Sequence, residues 1–251
     1  MRQRLLAFVV AVGVVTGTGV AQVATAPVAA PATQNPVLIV AGTFSPEFAL
    51  EPLAARLRHD GFTVYTMALP GLGTGDIAQS AQAVATEVDA IRTETGAAKV
   101  DLIGHSQGGL ENRYYLKFLG GTSKVGAYVS LGTPQYGTYA ANLGTFLGFG
   151  NCLTVVACVQ MSTGSSFLAA LNAGDDTPGS VRYYSIYTVF DELVQPWANA
   201  KLQDGAKNIK LQSYCPFRIV GHLGLILDGS VYGLVKTSLQ GGTVRTNCFA
   251  L

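Results

Sequence analysis

Ser106 stands between two glycines in "GHSQG", with the apolar run "KVDLI" before it and "GLENRYYLKFL" after it. That is the G-x-S-x-G pattern in the context it needs. A strand ends in a strained turn that lifts the hydroxyl off the sheet, and the following helix aims its first amides at developing negative charge. A serine hydroxyl is a poor nucleophile until a base takes its proton. The chain has three histidines, so the base follows by elimination. His59 closes the charged segment "RLRHDG" and reads as a solvated helix end. His105 adjoins Ser106, and neighbouring side chains at a tight turn diverge. His222, in "VGHLGL", remains.

An imidazole acting as base needs an acid that fixes its tautomer and stabilises the imidazolium. In the order Ser…Asp/Glu…His that acid lies between 106 and 222. Asp175 and Asp176 fall in a polar, Pro/Gly-flanked loop and read as solvated, and Asp204 falls in the turn "LQDGAK". Asp191 follows "YYSIYTVF" directly, off a strand's C-terminal end and on the serine's edge; Glu192 is the alternative. Asp101, inside the serine's own strand, is out of order and reads as structural. Acyl transfer also requires donors for the oxyanion. The backbone amide of Gln107 supplies one, and Thr43 or Phe44 of "VAGTF" the other, with the Thr43 hydroxyl available in addition.

The elements that must position these groups alternate along the chain. Short apolar runs at "PVLIV", "FTVYTM", "KVDLIGHS", "VGAYVSL" and "VRYYSIY" read as strands, with "IKLQSY" as a sixth. Between them "PLAARLRH" has helical periodicity, and Ile77 to Thr95 is an amphipathic helix closed by Gly96. "LGLILDGSVYGLVKTSL" reads as the final helix. The alternation predicts an α/β fold with a parallel sheet covered by helices on both faces. An insertion at about 134–180 interrupts the rhythm, as a packed cap or a substrate-facing lid does.

Charged residues make up 12% of 251 residues and the net charge is +1, which offers no electrostatic footprint for nucleic acid. Arg2 and Arg4, then the apolar Leu5 to Val15, then small residues, form the pattern of a secretory signal peptide. Cleavage after Ala21 and after Ala32 both fit, leaving a catalytic domain over 33–251. The apolar run is short of the roughly 20 residues that span a bilayer. Four cysteines in an exported chain favour two disulfides. Three pairings are possible, and the short loop between Cys152 and Cys158 favours Cys152–Cys158 with Cys215–Cys248. No cofactor or metal is called for.

"GTF", "HSQGG", "LGTPQYGT", "QMSTGSSFLAALN", "VRYYSIYTVFDELVQP" and "GHLGL" together resemble the secreted class 2 lipase/esterase family of the α/β-hydrolase superfamily. The resemblance runs from about Pro36 to the C-terminus, and "DELVQP" and "QMSTGSSFLAALN" are its more specific blocks. It implies an α/β-hydrolase fold, with Ser106 as nucleophile, Asp191 as acid, His222 as base, and Thr43 and Gln107 at the oxyanion hole. The expected activity is hydrolysis of lipid or other apolar carboxylic esters by a secreted monomer, with transient contact at a lipid interface. Phe146, Leu147, Phe149 and Leu153 are candidates for lining an acyl channel. The competing readings are an acyltransferase using the same triad and a non-catalytic binding module on the same fold.

Overall fold

The computed structural model describes residues 34–139, 152 and 155–250. The expected signal segment, 1–32, and the channel candidates Phe146, Leu147, Phe149 and Leu153 lie outside the described residues.

Among the described residues six strands form one parallel sheet: β1 (Val37–Val40), β2 (Val64–Met67), β3 (Val100–His105), β4 (Val125–Leu131), β5 (Arg182–Tyr187) and β6 (Lys207–Lys210). Their spatial order is β2-β1-β3-β4-β5-β6. The chain runs outward from β1 to β2, then crosses back and continues on the other side from β3. The loops after β1 and β3 therefore part at a topological switch point, where open α/β sheets have their crevice. In register, His105 pairs Leu131 and Leu131 pairs Ile186, so β3, β4 and β5 end side by side.

Among the described residues the helices are α1 (Glu51–His59), α2 (Ile77–Thr95), α3 (Gly108–Phe118), α4 (Val156–Met161), α5 (Ser166–Asn172), α6 (Leu211–Tyr214) and α7 (Gly229–Leu239). The ends of α2 follow from its sequence: Asp76 accepts from the Gln79 amide at the start, and Gly96 closes it in the left-handed conformation. Every residue of β1 is buried because both faces of the sheet are covered. Val37, Ile39 and Ala41 pack with Leu53 and Leu57 of α1 and with Val231, Leu234 and Val235 of α7. Leu38 and Val40 pack with Val84, Val88 and Ile91 of α2 and with Tyr115 and Leu116 of α3. Each such side chain contributes about 1.5–3 kcal/mol on full burial.

Two expectations need correction. "IKLQSY" is not one strand: β6 stops at Lys210, and Leu211–Tyr214 turns into α6, which buries Leu211 against the sheet. The last helix is not continuous from Leu223. Leu223–Ile226 is a separate 3-10 turn, and α7 starts afresh where Asp228 accepts from the amides of Ser230 and Val231. The described part of the insertion is packed: Ala157, Met161, Leu168 and Leu171 bury against Ile77 and Leu110. Arg113 and Lys117 of α3 tie α5 down through Asn172 Oδ1 at 2.9 Å and the Leu171 carbonyl at 2.9 Å. Cys152–Cys158 and Cys215–Cys248 are disulfide-bonded, as expected. Among the described residues no helix is long and apolar enough to cross a membrane.

Candidate active site

Ser106 has φ +54°, a conformation that L residues rarely adopt, directly between the end of β3 and the start of α3. Two close approaches hold it there. The Ser106 amide donates to the Leu131 carbonyl at 2.9 Å, anchoring the turn to β4. At Gly104 an added Cβ would sit 2.5 Å from the backbone of Gly109, so strand and helix can close only over a glycine. The serine side chain leans towards the loop after β1: a Cβ on Gly42 would come within 2.8 Å of Ser106 Cβ and 3.4 Å of its Oγ.

Asp191 lies beyond the C-terminal end of β5 and is buried. Its Oδ1 accepts from the amides of Leu193 at 2.9 Å and Val194 at 2.7 Å. Its carboxylate faces His222, with Nδ1 3.0 Å from Oδ1 and 2.9 Å from Oδ2. Glu192, the alternative acid, turns the other way: it accepts from the His222 backbone amide at 2.8 Å and fixes the main chain, not the ring. Space for the pair comes from Gly132 (φ +57°), where a Cβ would lie 3.0 Å from Asp191 Oδ2 and 3.2 Å from His222 Nδ1. Gly132 directly follows the Leu131 that receives the Ser106 amide, so one strand end serves both halves of the site.

The imidazole of His222 is only 1% exposed, and its Nε2 has no hydrogen-bond partner among the described residues. Ser106 thus does not hydrogen-bond Nε2, although the proton transfer of a triad requires that contact. Rotation of the serine side chain about χ1 is the freedom available to bring the hydroxyl to the ring. Resting sites often hold such contacts long and tighten them on substrate binding.

His105 is fully buried and donates from Nε2 to the His222 carbonyl at 3.2 Å. Burial, and then the nearby His222 ring, push it down to about 3, so it stays neutral and braces the loop. His59 is exposed at the end of α1, as expected. Thr43 and Gln107 meet directly, Thr43 Oγ1 donating to Gln107 Oε1 at 2.5 Å. The Phe44 amide is taken by the Leu72 carbonyl at 2.8 Å. The Thr43 and Gln107 amides donate to no backbone carbonyl among the described residues outside regular elements.

A family profile described as Lipase (class 2) matches residues 34–222, a span that includes all of these groups. The chain belongs to the class 2 lipase family. It is 24% identical over 223 residues to Lipase B of Pseudozyma antarctica, an alignment covering 83% of this chain and 63% of that protein. The chain thus spans less than two thirds of that relative's length. Among solved structures it is similar to Aspergillus fumigatus lipase B, with TM-score 0.72 and 22% identity, covering 85% of this chain and 53% of that one. A mature-form Bacillus licheniformis lipase gives TM-score 0.67 and 18% identity, covering 85% and 96%. At these identities the likeness establishes the fold, that of the α/β-hydrolases.

Some features of this class 2 lipase chain were not legible in its sequence. Asp176, read as solvated, is buried; it accepts from Tyr136 Oη at 2.8 Å and from the amides of Gln203 at 2.7 Å and Asp204 at 3.1 Å. With Asp175 and Asp204 it forms an acidic cluster that these bonds account for as a loop clasp. Glu111 is buried one helical turn after Gln107 and accepts from Gln107 Nε2 at 2.7 Å. An "SQGGLE" spacing of four residues on a helix is the only signal that could have pointed to it. Asp101 is buried on Asn35 at 2.9 Å, a structural role as expected.

Proposed function

We propose that the chain is a secreted serine carboxylic ester hydrolase working through an acyl-enzyme, with Ser106, Asp191 and His222 as its triad. The observation that carries this reading is the buried Asp191–His222 pair. A carboxylate on Nδ1 holds the ring proton there and leaves Nε2 as a proton acceptor, beside a strained G-x-S-x-G turn.

On substrate binding the Ser106 hydroxyl turns to Nε2. Its Oγ bonds to the ester carbonyl carbon as its proton passes to His222, and the carbonyl π electrons move to oxygen. The oxyanion is met by the amides of Thr43 and Gln107, the latter at the head of α3. Collapse breaks the carbon–alkoxy bond, and the leaving alcohol takes the proton from Nε2. Water, deprotonated by the same nitrogen, then attacks the acyl-enzyme, releasing the acid and restoring Ser106.

Two disulfides suit an oxidising compartment, and with the N-terminal pattern they support export. The low charge density supports an uncharged, apolar ester as substrate. Ser106→Ala is expected to abolish p-nitrophenyl ester hydrolysis while circular dichroism and melting temperature stay at wild-type values. Residual turnover near the wild-type rate would refute the assignment. Product analysis with and without an added alcohol separates hydrolysis from acyl transfer to an acceptor.

A further inference from the structure

We propose that Glu111 is a positioning residue for this reaction: acting through the Gln107 side-chain amide, it sets the direction in which the Thr43 hydroxyl points its proton. The inference rests on the reading of Ser106 as nucleophile and Thr43 as an oxyanion residue.

Three side chains from two elements form a continuous relay. Thr43 Oγ1 is 2.5 Å from Gln107 Oε1, and Gln107 Nε2 is 2.7 Å from Glu111 Oε1. Glu111 and Gln107 are fully buried, and Glu111 Oε2 has no partner among the described residues. Gly73 closes the remaining side, where a Cβ would lie 3.1 Å from Gln107 Oε1 and 3.2 Å from its Nε2. The amide is therefore clamped between a hydroxyl and a carboxyl, with one freedom left: rotation about its terminal torsion, which exchanges oxygen for nitrogen.

Each orientation is a matched chain of donors and acceptors. In the observed one, Gln107 N–H donates to Glu111 and the Thr43 hydroxyl donates to Gln107. The single proton of that hydroxyl is then committed to the relay and cannot serve an oxyanion. In the exchanged one, a protonated Glu111 donates to Gln107 Oε1, and Gln107 N–H donates to Thr43 Oγ1. The Thr43 proton is then released towards the crevice. An ionised carboxylate has no proton to give, so it enforces the first orientation.

The surroundings keep the protonated form accessible. Burial pushes Glu111 up to about 8, the Gln107 bond opposes this, and the negative charge of Asp76 at the head of α2 adds to the rise. Asp76 is itself held by the Gln79 amide at 2.9 Å and Gln160 Nε2 at 2.7 Å. The other elements packed on α3 (β1, β3, β4, α5 and the 3-10 turn Gly121–Ser123) bring no further charge to bear on Glu111. Arg113, on α3 itself, is directed instead at Gln135 and Asn172.

The test is a pH-stat titration of a short-chain ester by wild type, Glu111→Gln, Thr43→Val and the double variant, on both sides of about pH 8. In wild type, kcat should fall above about pH 8 with little change in KM, because an oxyanion donor acts in the transition state; the fall should approach the roughly 10²–10³-fold worth of one such donor. Glu111→Gln keeps an N–H for Gln107, so the alkaline fall should vanish and the variant should outpace wild type at the alkaline end. Thr43→Val should be slow throughout and also lack the fall, and the double variant should match Thr43→Val. A fall that persists in either single variant, a wild type without one, or a Thr43→Val at wild-type rate overturns the proposal. If Glu111→Gln does not fold, the Thr43→Val profile decides alone. Activity surviving in Ser106→Ala would instead strike the underlying reading, so the two failures are distinguishable.

Discussion

Exchanging Asp191 for asparagine replaces one oxygen by NH2, and the surroundings dictate which one. Oδ1 is held by two backbone donors, the Leu193 and Val194 amides at 2.9 and 2.7 Å, which can only face an acceptor. The amide oxygen of the new side chain must stay there, and its NH2 takes the place of Oδ2, 2.9 Å from His222 Nδ1. Nδ1 then has to accept, so the ring proton moves to Nε2, the atom that must receive the serine proton. In the serine-protease template such a tautomer inversion lowers kcat about 10⁴-fold, or about 5.4 kcal/mol of transition-state stabilisation. Glu192→Gln is the matched control. Its carbonyl still accepts from the His222 amide, 2.8 Å from Oε2, and only the charge assistance is lost, about 1 kcal/mol and under tenfold in rate. Initial rates on a p-nitrophenyl ester, with melting temperatures to establish folding, measure both. Asp191→Asn within tenfold of wild type, or Glu192→Gln falling as far, would refute the assignment of the acid and the tautomer argument with it.

Asp101 should make stability depend on pH in an unusual direction. Burial raises it from 3.8 to about 6, with Asn35 and Arg182 opposing, so the folded chain holds this proton more tightly than the unfolded one. Its contribution is full below about pH 4 and is lost as pH rises through about 6, about 3 kcal/mol in all. Urea unfolding of wild type and Asp101→Asn should diverge by that amount across this window, and a constant difference would refute it. Of the two disulfides, Cys215–Cys248 closes a separation of 33 residues and Cys152–Cys158 one of 6. Loop-closure entropy makes the first worth about 4 kcal/mol and the second about 2. Paired serine replacements compared by denaturant midpoint should keep that order, and the reverse order would contradict the entropic account.

Signals that act within a few residues were open to sequence reading. Helix α2 runs over Ile77–Thr95 as its apolar periodicity and closing Gly96 require, because caps and periodicity are local physics. The turn at Ser106 was legible because glycine spacing and strand-then-helix patterning reflect one close crossing of backbones. Elimination among three histidines and the chain order sufficed to nominate His222 and Asp191. Tertiary structure alone decided which of two adjacent acids faces the ring, since β5 and the loop before His222 approach from 31 residues apart. It also decided the burial of Asp176 and the meeting of Thr43 with Gln107. Each of these depends on segments that meet from 27 to 64 residues apart in the chain. A side chain's partner there is set by packing among distant segments, and no local propensity encodes it.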